Sequence, residues 1–336
     1  MTEYAQIYCT VGQMIDDLRQ GGEKPGLLER IEQASAFVRN EIGDFLPVTE
    51  SRTYIPDQNR EILKIDPVLA VTEITVDGTT LTSADYRLLP VNKHWRNGPY
   101  TYIQRIDAAW EADSTIILTG RFGMYELTGS TGLTGTLAAA DTATLALTNG
   151  SILSPGMVIL IETEQLLVTA GNGGQNSPAT TAATSLTAEA IAVGDEEFNV
   201  DNGSEFRTGE VIRIGSEDMR ILRITSNTLT VARGWNQTVR AAHNDDSAIG
   251  VYRTYSVIRG VNGTTAAAHS AKTIYKYTIP GDVAWLTRQI AGLMQMKTET
   301  GFSGRAGNTE MGEVFYINEF PRHQIKEVKL HYRLWA

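Results

Sequence analysis

The sequence predicts an α+β chain: a helical core with an attached β region, interrupted by two small all-β domains nested one inside the other. Three observations predict it. Apolar residues recur at helical spacing near both ends of the chain, and the two helical regions lie 236 residues apart (279 − 43). The intervening runs alternate with period two, the pattern of strands. Two sequence elements also occur twice, each at a fixed offset.

The helices come first. Thr10 and Gln13 have the spacing of a capping box, and Val11, Met14, Ile15 and Leu18 trace a stripe, so a short helix is expected from Val11 to Gln20. Gly21-Gly22 and Pro25-Gly26 break it. Leu27, Ile31, Ala34, Val38 and Ile42 then share one face of a second helix that stops at Gly43. A late helix, Ile279 to Met296, carries Val283, Leu286, Ile290 and Leu293 on one stripe, with Pro280 and Asp282 suited to its first turn. Two helices of a hairpin need a further apolar face, and this one supplies it, so these four residues are expected to pack the helical core.

From Phe45 to Met124 the sequence reads as strands, with Asp77-Gly78 as a tight hairpin turn and Asn97-Gly98-Pro99, Gly120 and Gly123 as punctuation. Leu127 to Gly135 (LTGSTGLTG) reads as a flexible linker. The repeats follow. Asn149-Gly150-Ser151, Gly156-Met157-Val158-Ile159 and Glu164 reappear as Asn202-Gly203-Ser204, Gly209-Glu210-Val211-Ile212 and Glu217, an offset of 53 (202 − 149). Arg233-Gly234-Trp235-Asn236-Gln237-Thr238 with Ala241-Ala242-His243 reappears as Arg259-Gly260-Val261-Asn262-Gly263-Thr264 with Ala267-Ala268-His269, an offset of 26 (259 − 233). The order is first half, first half, second half, second half. Pairing the middle halves avoids crossed connections. It gives an inner unit at 188–252 nested in an outer unit made of 137–170 and 253–277, leaving 1–126 and 278–336 as the remaining domain.

Composition narrows the function. With 336 residues, 42% of them hydrophobic and a net charge of −10, the chain is expected to be globular, without the basic surface of a protein that grips DNA phosphates. No apolar run reaches the roughly 18 residues of a membrane span, and Met1-Thr2-Glu3 does not open a signal peptide. Cys9 is the single cysteine, which excludes an internal disulfide and fits a protein made in a reducing cytoplasm. No catalytic motif, metal-ligand spacing or cofactor-binding loop is present. His243 and His269, like Glu164 and Glu217, hold equivalent repeat positions, which points to equal structural parts. Asn149, Asn202, Asn236 and Asn262 fit a glycosylation pattern but read as turn residues. At the end of the chain Val328, Leu330, Tyr332 and Leu334 alternate with Lys329, His331, Arg333 and Trp335, so a terminal strand is expected that adds itself to a sheet edge.

Several stretches together resemble the tailed-bacteriophage head-to-tail connector, or adaptor, family. They are the helical hairpin at Val11–Gly43, Phe45-Leu46-Pro47-Val48-Thr49, and Asp66-Pro67-Val68-Leu69-Ala70-Val71 leading into Ile74-Thr75-Val76-Asp77-Gly78. Asp85-Tyr86-Arg87-Leu88, Thr119-Gly120-Arg121-Phe122-Gly123, the Ile279-Pro280 helix and Leu330-His331-Tyr332-Arg333 complete the set. The resemblance covers about 1–126 and 278–336; the inserted region 127–277 departs from the family pattern. It implies a helical-bundle connector core and a non-enzymatic virion protein of the neck. Its copies would form a ring, usually of twelve, between the portal and the tail or neck proteins, through which DNA passes without sequence-specific binding. By position, Val328, Leu330, Tyr332, Leu334 and Trp335 with Lys329 and Arg333 would contact the portal as a docked strand. Acidic side chains would line the channel and repel phosphates. The competing reading is a tail or head accessory protein whose β units bind a glycan or a capsid protein.

Overall fold

The computed structural model describes residues 6–18, 26–91, 98–173, 177–299, 305–308, 313–316 and 321–333. Two helices open the chain, α1 (Val11–Leu18) and α2 (Leu27–Ile42). Six strands follow: β1 (Val48–Tyr54), β2 (Ile62–Val76), β3 (Thr79–Thr80), β4 (Tyr86–Leu89), β5 (Tyr100–Arg105) and β6 (Ile116–Phe122). They form an antiparallel sheet in the order β1-β6-β2-β5-β4, with β3 paired to β2. Asp77 and Gly78 both have positive φ (49° and 82°), as the two-residue turn between β2 and β3 requires.

Next come β7 (Thr128–Leu137), β8 (Thr144–Ala146), β9 (Val158–Ile161) and β10 (Glu164–Ala170). The chain continues through β11 (Thr181–Leu186), β12 (Glu197–Asn199), β13 (Val211–Ile214), β14 (Glu217–Thr225), β15 (Thr228–Trp235) and β16 (Ala248–Val251), and then β17 (Thr254–Ile258) and β18 (His269–Tyr277). The second sheet has the order β7-β18-β9-β10-β17-β8 and the third β11-β16-β13-β14-β15-β12. The third sheet thus arises wholly between two neighbouring strands of the second. Matching strands by their repeat offsets gives the same order in both sheets. Below, "outer unit" means the second sheet with its loops and "inner unit" the third. Helix α3 (Gly281–Glu299), a hairpin of β19 (Arg305–Asn308) and β20 (Glu313–Tyr316), and helix α4 (Arg322–Arg333) end the described chain.

The expected fold class, α+β with a helical-bundle core, is incorrect: the protein is mostly β, built on three antiparallel sheets of six strands each. The reason lies in where apolar surface is buried. Each sheet has a core of its own, centred on Leu63, Ile74, Ile103, Trp110 and Phe122 in the first, Leu145, Ile159, Val168 and Tyr255 in the second, and Phe198, Ile212, Ile221 and Leu229 in the third. The helices share a fourth cluster, and it is not theirs alone. Phe45 and Leu46, Val158 of the outer unit, and Val211, Trp235 and Tyr252 from the inner unit and its exit complete it. Among the described residues four α-helices of 8 to 19 residues cover a junction between sheets rather than enclosing a bundle.

Within that cluster Val283, Leu286 and Ile290 are fully buried and face Ile31, Ala34 and Val38 of α2, whereas Leu293 is half-buried. Thr287 and Ala291 share the buried face, and the Thr287 hydroxyl donates back to the Val283 carbonyl at 2.8 Å. The capping box at the start of α1 is formed: Gln13 N donates to Thr10 Oγ1 at 3.2 Å, and Thr10 N to Gln13 Oε1 at 2.9 Å.

Two further expectations fail. Residues 127–135 are not a flexible linker, because Thr128–Leu137 is strand β7, paired with β18. Threonine is a good strand former, the Thr131 hydroxyl donates to the Ile274 carbonyl at 2.8 Å, and Gly135 leaves room for Leu145 and Ile274. The terminal strand is a helix, α4. Pro321 stands at its start, its carbonyl accepting Ile325 N at 3.0 Å, and Arg, Gln, Lys, Glu and Leu that follow are good helix formers. Ile325, Val328 and Tyr332 lie at spacings of three and four and turn inward, while Leu330 turns out at 51% exposure.

Candidate functional site

The residues expected to contact a portal as a strand are divided by α4. Val328 is buried against the helical cluster, and the Tyr332 ring meets Phe45 edge-on with centroids 4.9 Å apart. The Tyr332 hydroxyl donates to Asp282 Oδ1 at 2.9 Å, and Lys329 Nζ to Glu41 Oε2 at 2.8 Å. Among the described members of the apolar set, Leu330 faces outward. Arg333 ends the helix, its side chain outside the description, and Leu334 and Trp335 lie outside the described residues.

Among the described residues the densest cluster of ionisable side chains sits in the β units. In each, a glutamate opens the strand after a tight turn, at Glu164 in β10 and Glu217 in β14, and no more than 1% of either is exposed. Arg233 addresses Glu217 with two nitrogens, Nε to Oε1 and Nη2 to Oε2, both at 2.7 Å. Gly234 N and Ala241 N donate to the same carboxylate at 3.0 Å each, and His243 Nε2 lies 2.9 Å from Oε2. The rest of the guanidinium is spent on main-chain carbonyls: Ala192 at 3.0 Å, Asp195 at 2.8 Å and Ala241 at 2.6 Å.

The outer unit repeats this bond for bond. Arg259 Nε and Nη2 meet Glu164 at 2.7 Å, Gly260 N and Ala267 N donate at 3.0 Å, and His269 Nε2 lies at 2.8 Å. Arg259 also donates to the carbonyls of Ala139, Thr142 and Ala267. Burial pushes both carboxyls up, but the guanidinium, the two N–H donors and the histidine outweigh it and leave each at about 2. The surroundings of the two clamps differ at the turn before the glutamate. Glu162, at φ 55°, stands where the inner unit has Gly215 at φ 58°, and its carboxylate reaches His269 Nδ1 at 2.9 Å and Lys272 Nζ at 2.7 Å.

These groups are saturated by bonds inside the unit. A general acid or base needs a reacting proton within reach in a cleft, and each of these carboxylates already receives five donors. Among the described residues no three His, Cys, Asp or Glu side chains are placed to hold a metal ion. A cavity of about 290 Å³ opens where α1 meets both units, beside Gln13, Ser154, Arg220, Trp235 and Lys276, and no described carboxylate lines it. Among the described residues no helix is long and apolar enough to cross a membrane.

The loop after the repeated arginine mounts each unit on its neighbour. In the outer unit Thr49 N donates to the Asn262 carbonyl at 2.8 Å, and Gln165 Nε2 to the Pro47 carbonyl at 2.7 Å, which fastens the unit to the start of β1. In the inner unit the equivalent Asn236 Nδ2 donates to the Asn172 carbonyl at 2.9 Å, and Asp218, at the position of Gln165, takes Arg213 and the Tyr252 hydroxyl. A second joint binds the units. Glu210 is fully buried and accepts Gly150 N and Arg253 Nε of the outer side at 2.9 and 2.7 Å, and Arg207 N of its own loop at 2.8 Å. Sequence reasoning missed this joint, although a signal existed: the outer copy has Met157 where the inner has Glu210.

No protein-family model matches the chain, and no curated protein matches it.

Proposed function

We propose that the chain is a structural virion protein that forms the ring joining the portal of a phage head to the tail, with DNA passing through its lumen. The observation that carries this reading is the return of α3 to α2. Val283, Leu286 and Ile290 close against Ile31, Ala34 and Val38, so that both ends of the chain make one body with the first sheet, the order of elements on which the resemblance rests. The β units join that body through bonds to main chain at Pro47 and Thr49 and through Val158, Val211 and Trp235 packed in the helical cluster. Their ionisable groups serve to hold loops, which suits an assembly part better than an enzyme.

The portal contact belongs, on this reading, to the outward face of α4. Arg322, Lys326 and Leu330 lie exposed there, whereas Val328, Lys329 and Tyr332 are engaged within the subunit. With Glu327 exposed beside Arg322 and Lys326, this side of α4 keeps one net positive charge and one apolar side chain, which suits an acidic groove on a partner. The test is co-sedimentation of the purified chain with DNA-filled heads that lack tails, beside a variant carrying Lys326→Glu and Leu330→Asp. Both substitutions are at exposed positions and should leave the fold intact. Binding by the parent that the variant loses is the expected result. Equal binding by both would move the contact off α4, and failure of the parent to bind, with no ring visible by electron microscopy, would overturn the connector reading in favour of an accessory role.

A further inference from the structure

The two β units differ at one end. In the outer unit the strand pair β10 and β17 is opened after Asn172, and the chain returns at Tyr252 and Arg253 after building the inner unit. In the inner unit the equivalent strands β14 and β15 are joined directly by Ser226 and Asn227, with Thr225 paired to Thr228. The repeat offsets align Tyr252 with Ser226 and Arg253 with Asn227, and the bonds agree. Leu147 N donates to the Arg253 carbonyl at 2.9 Å, and Val200 N to the Asn227 carbonyl at 2.9 Å. A Cβ on Gly150 would strike the Tyr252 carbonyl oxygen, and a Cβ on Gly203 the Ser226 carbonyl oxygen.

What differs is the acceptor for the glycine N–H. Gly150 N donates to Glu210, which the next unit brings, at 2.9 Å. Gly203 N donates to Asn227 Oδ1, from the turn itself, at 3.1 Å. The asparagine stands in for the carboxylate of an absent neighbour. Of the other contacts of the joint, Asn236 Nδ2 to the Asn172 carbonyl reads main chain and asks nothing of side-chain identity, while the Tyr252 hydroxyl reaches Asp218 at 3.2 Å. Thr225 offers a carbonyl at the corresponding place.

We propose that the hairpin Thr225–Thr228 is an insertion point for a further β unit of the same kind, to be held by the bonds that join the inner unit to the outer. The occupant is specified by that established joint: a unit that enters between residues 225 and 226, brings a glutamate at the place of Glu210 to the Gly203 N–H, and meets an arginine at the place of Asn227. The array is therefore extensible by insertion, and the Ser226-Asn227 turn is its closing cap. Surface turns tolerate insertion when the strands beneath are held by their own core, as here by Ile221, Leu229 and Val231.

The test is made in the full chain. A second copy of residues 173–251 is inserted between Thr225 and Ser226, together with Ser226→Tyr and Asn227→Arg in the host turn, and hydrogen exchange is followed by mass spectrometry. Peptides from the duplicated sequence report both copies at once. A single protected mass envelope for the 211–224 region is expected, meaning that the added unit folds. A single protected envelope for the peptide containing Gly203 is also expected, because the host Gly203 N–H is then capped by the added glutamate. Glu210→Ala in the added copy alone should split that second envelope and leave the first unchanged. A split 211–224 envelope in the parent insertion, or a Gly203 envelope indifferent to the added glutamate, overturns the proposal. A second variant guards against a misfolded insertion: residues 173–253 are replaced by Ser-Asn, joining Asn172 to Thr254 through the cap. Strands β9, β10, β17 and β18 should keep their protection within about threefold, and loss of it would show that turn and joint are not interchangeable.

Discussion

Replacing Glu217 by glutamine tests whether the buried clamp holds its unit together. The substitution keeps the shape and removes the charge. Arg233, only 3% exposed, is left without a counter-charge, and an amide NH2 is turned toward Ala241 N or Gly234 N, which are themselves donors. Removing one partner of a buried pair costs about 3–5 kcal/mol, a large part of the roughly 5–15 kcal/mol that holds a domain folded. The sharper comparison is the double variant Glu217→Leu with Arg233→Leu. Buried ion pairs can often be exchanged for apolar residues at little cost. Here the pair also satisfies five main-chain groups, Gly234 N, Ala241 N and the carbonyls of Ala192, Asp195 and Ala241. Each main-chain group left dry costs about 1–3 kcal/mol. Even if water reaches some of them, the double variant should remain at least about 3 kcal/mol less stable, read as the opening free energy of β13–β16 by native-state hydrogen exchange. A double variant within about 1 kcal/mol of the parent would refute the account, since the ion pair would then be replaceable packing.

The remaining predictions concern the mounts and the response to acid. Gly263 has φ 77° and lies against the Thr49 carbonyl oxygen, so Gly263→Ala should part the outer unit from β1: exchange at Thr49 N should rise at least tenfold while β9 and β10 stay protected. Tyr332→Ala removes the ring packed on Phe45 and the bond to Asp282. From a half-buried site it should cost about 2 kcal/mol in urea unfolding, and Tyr332→Phe, which keeps the ring, less than half of that. Glu164 and Glu217 are held at about 2, below the ordinary 4.5. Their contribution is therefore complete above pH 4.5 and is lost as pH falls from 4.5 toward 2, by up to about 3 kcal/mol for each unit. Asp44 is pushed the other way, raised by burial against the helical junction, so it favours the folded state more as pH falls. At pH 3, exchange should rise in both β units before it rises in β1 and β6; simultaneous loss would contradict the assignment.

The duplication was legible because its marks are residues with little freedom. Arg233 and Arg259 must each reach one carboxylate and three carbonyls, and the glycines after them donate to that carboxylate, so both copies retain the spacing. The helical stripes of α2 and α3 were legible for the same kind of reason, since burial fixes the period. The end of the chain misled because its apolar residues satisfy two periods. Val328, Leu330, Tyr332 and Leu334 alternate as a strand would, yet Val328 and Tyr332 are also one helical turn apart. Ile325 and Pro321 upstream decide the matter, the first by extending the helical stripe and the second by opening a helix. The fold class is not legible from the helices' place at both ends, because the three sheets bury apolar cores of their own. The Gly/Thr composition of Thr128–Leu137 hides a strand, because the bonds that make it one come from its partner β18.

The pattern of change between the copies separates what a unit needs from what its mount needs. Glu164 and Glu217, Arg259 and Arg233, and His269 and His243 are the same because their partners lie inside the unit, and any change strands main chain in a dry interior. Met157 and Glu210, and Gln165 and Asp218, differ, and each of the second members faces a different neighbour from the first. Gln165 answers the Pro47 carbonyl, which wants a donor; Asp218 answers Arg213 and the Tyr252 hydroxyl, which want an acceptor. A carboxylate at 165 would meet a carbonyl oxygen at hydrogen-bond distance with no proton to offer. The Gln165 oxygen accepts Asn262 Nδ2 at 2.8 Å within the unit, as a carboxylate also could, so it is the donor end that answers the mount, and Gln165→Glu should loosen the outer unit from β1 while leaving the Glu164 clamp beside it closed.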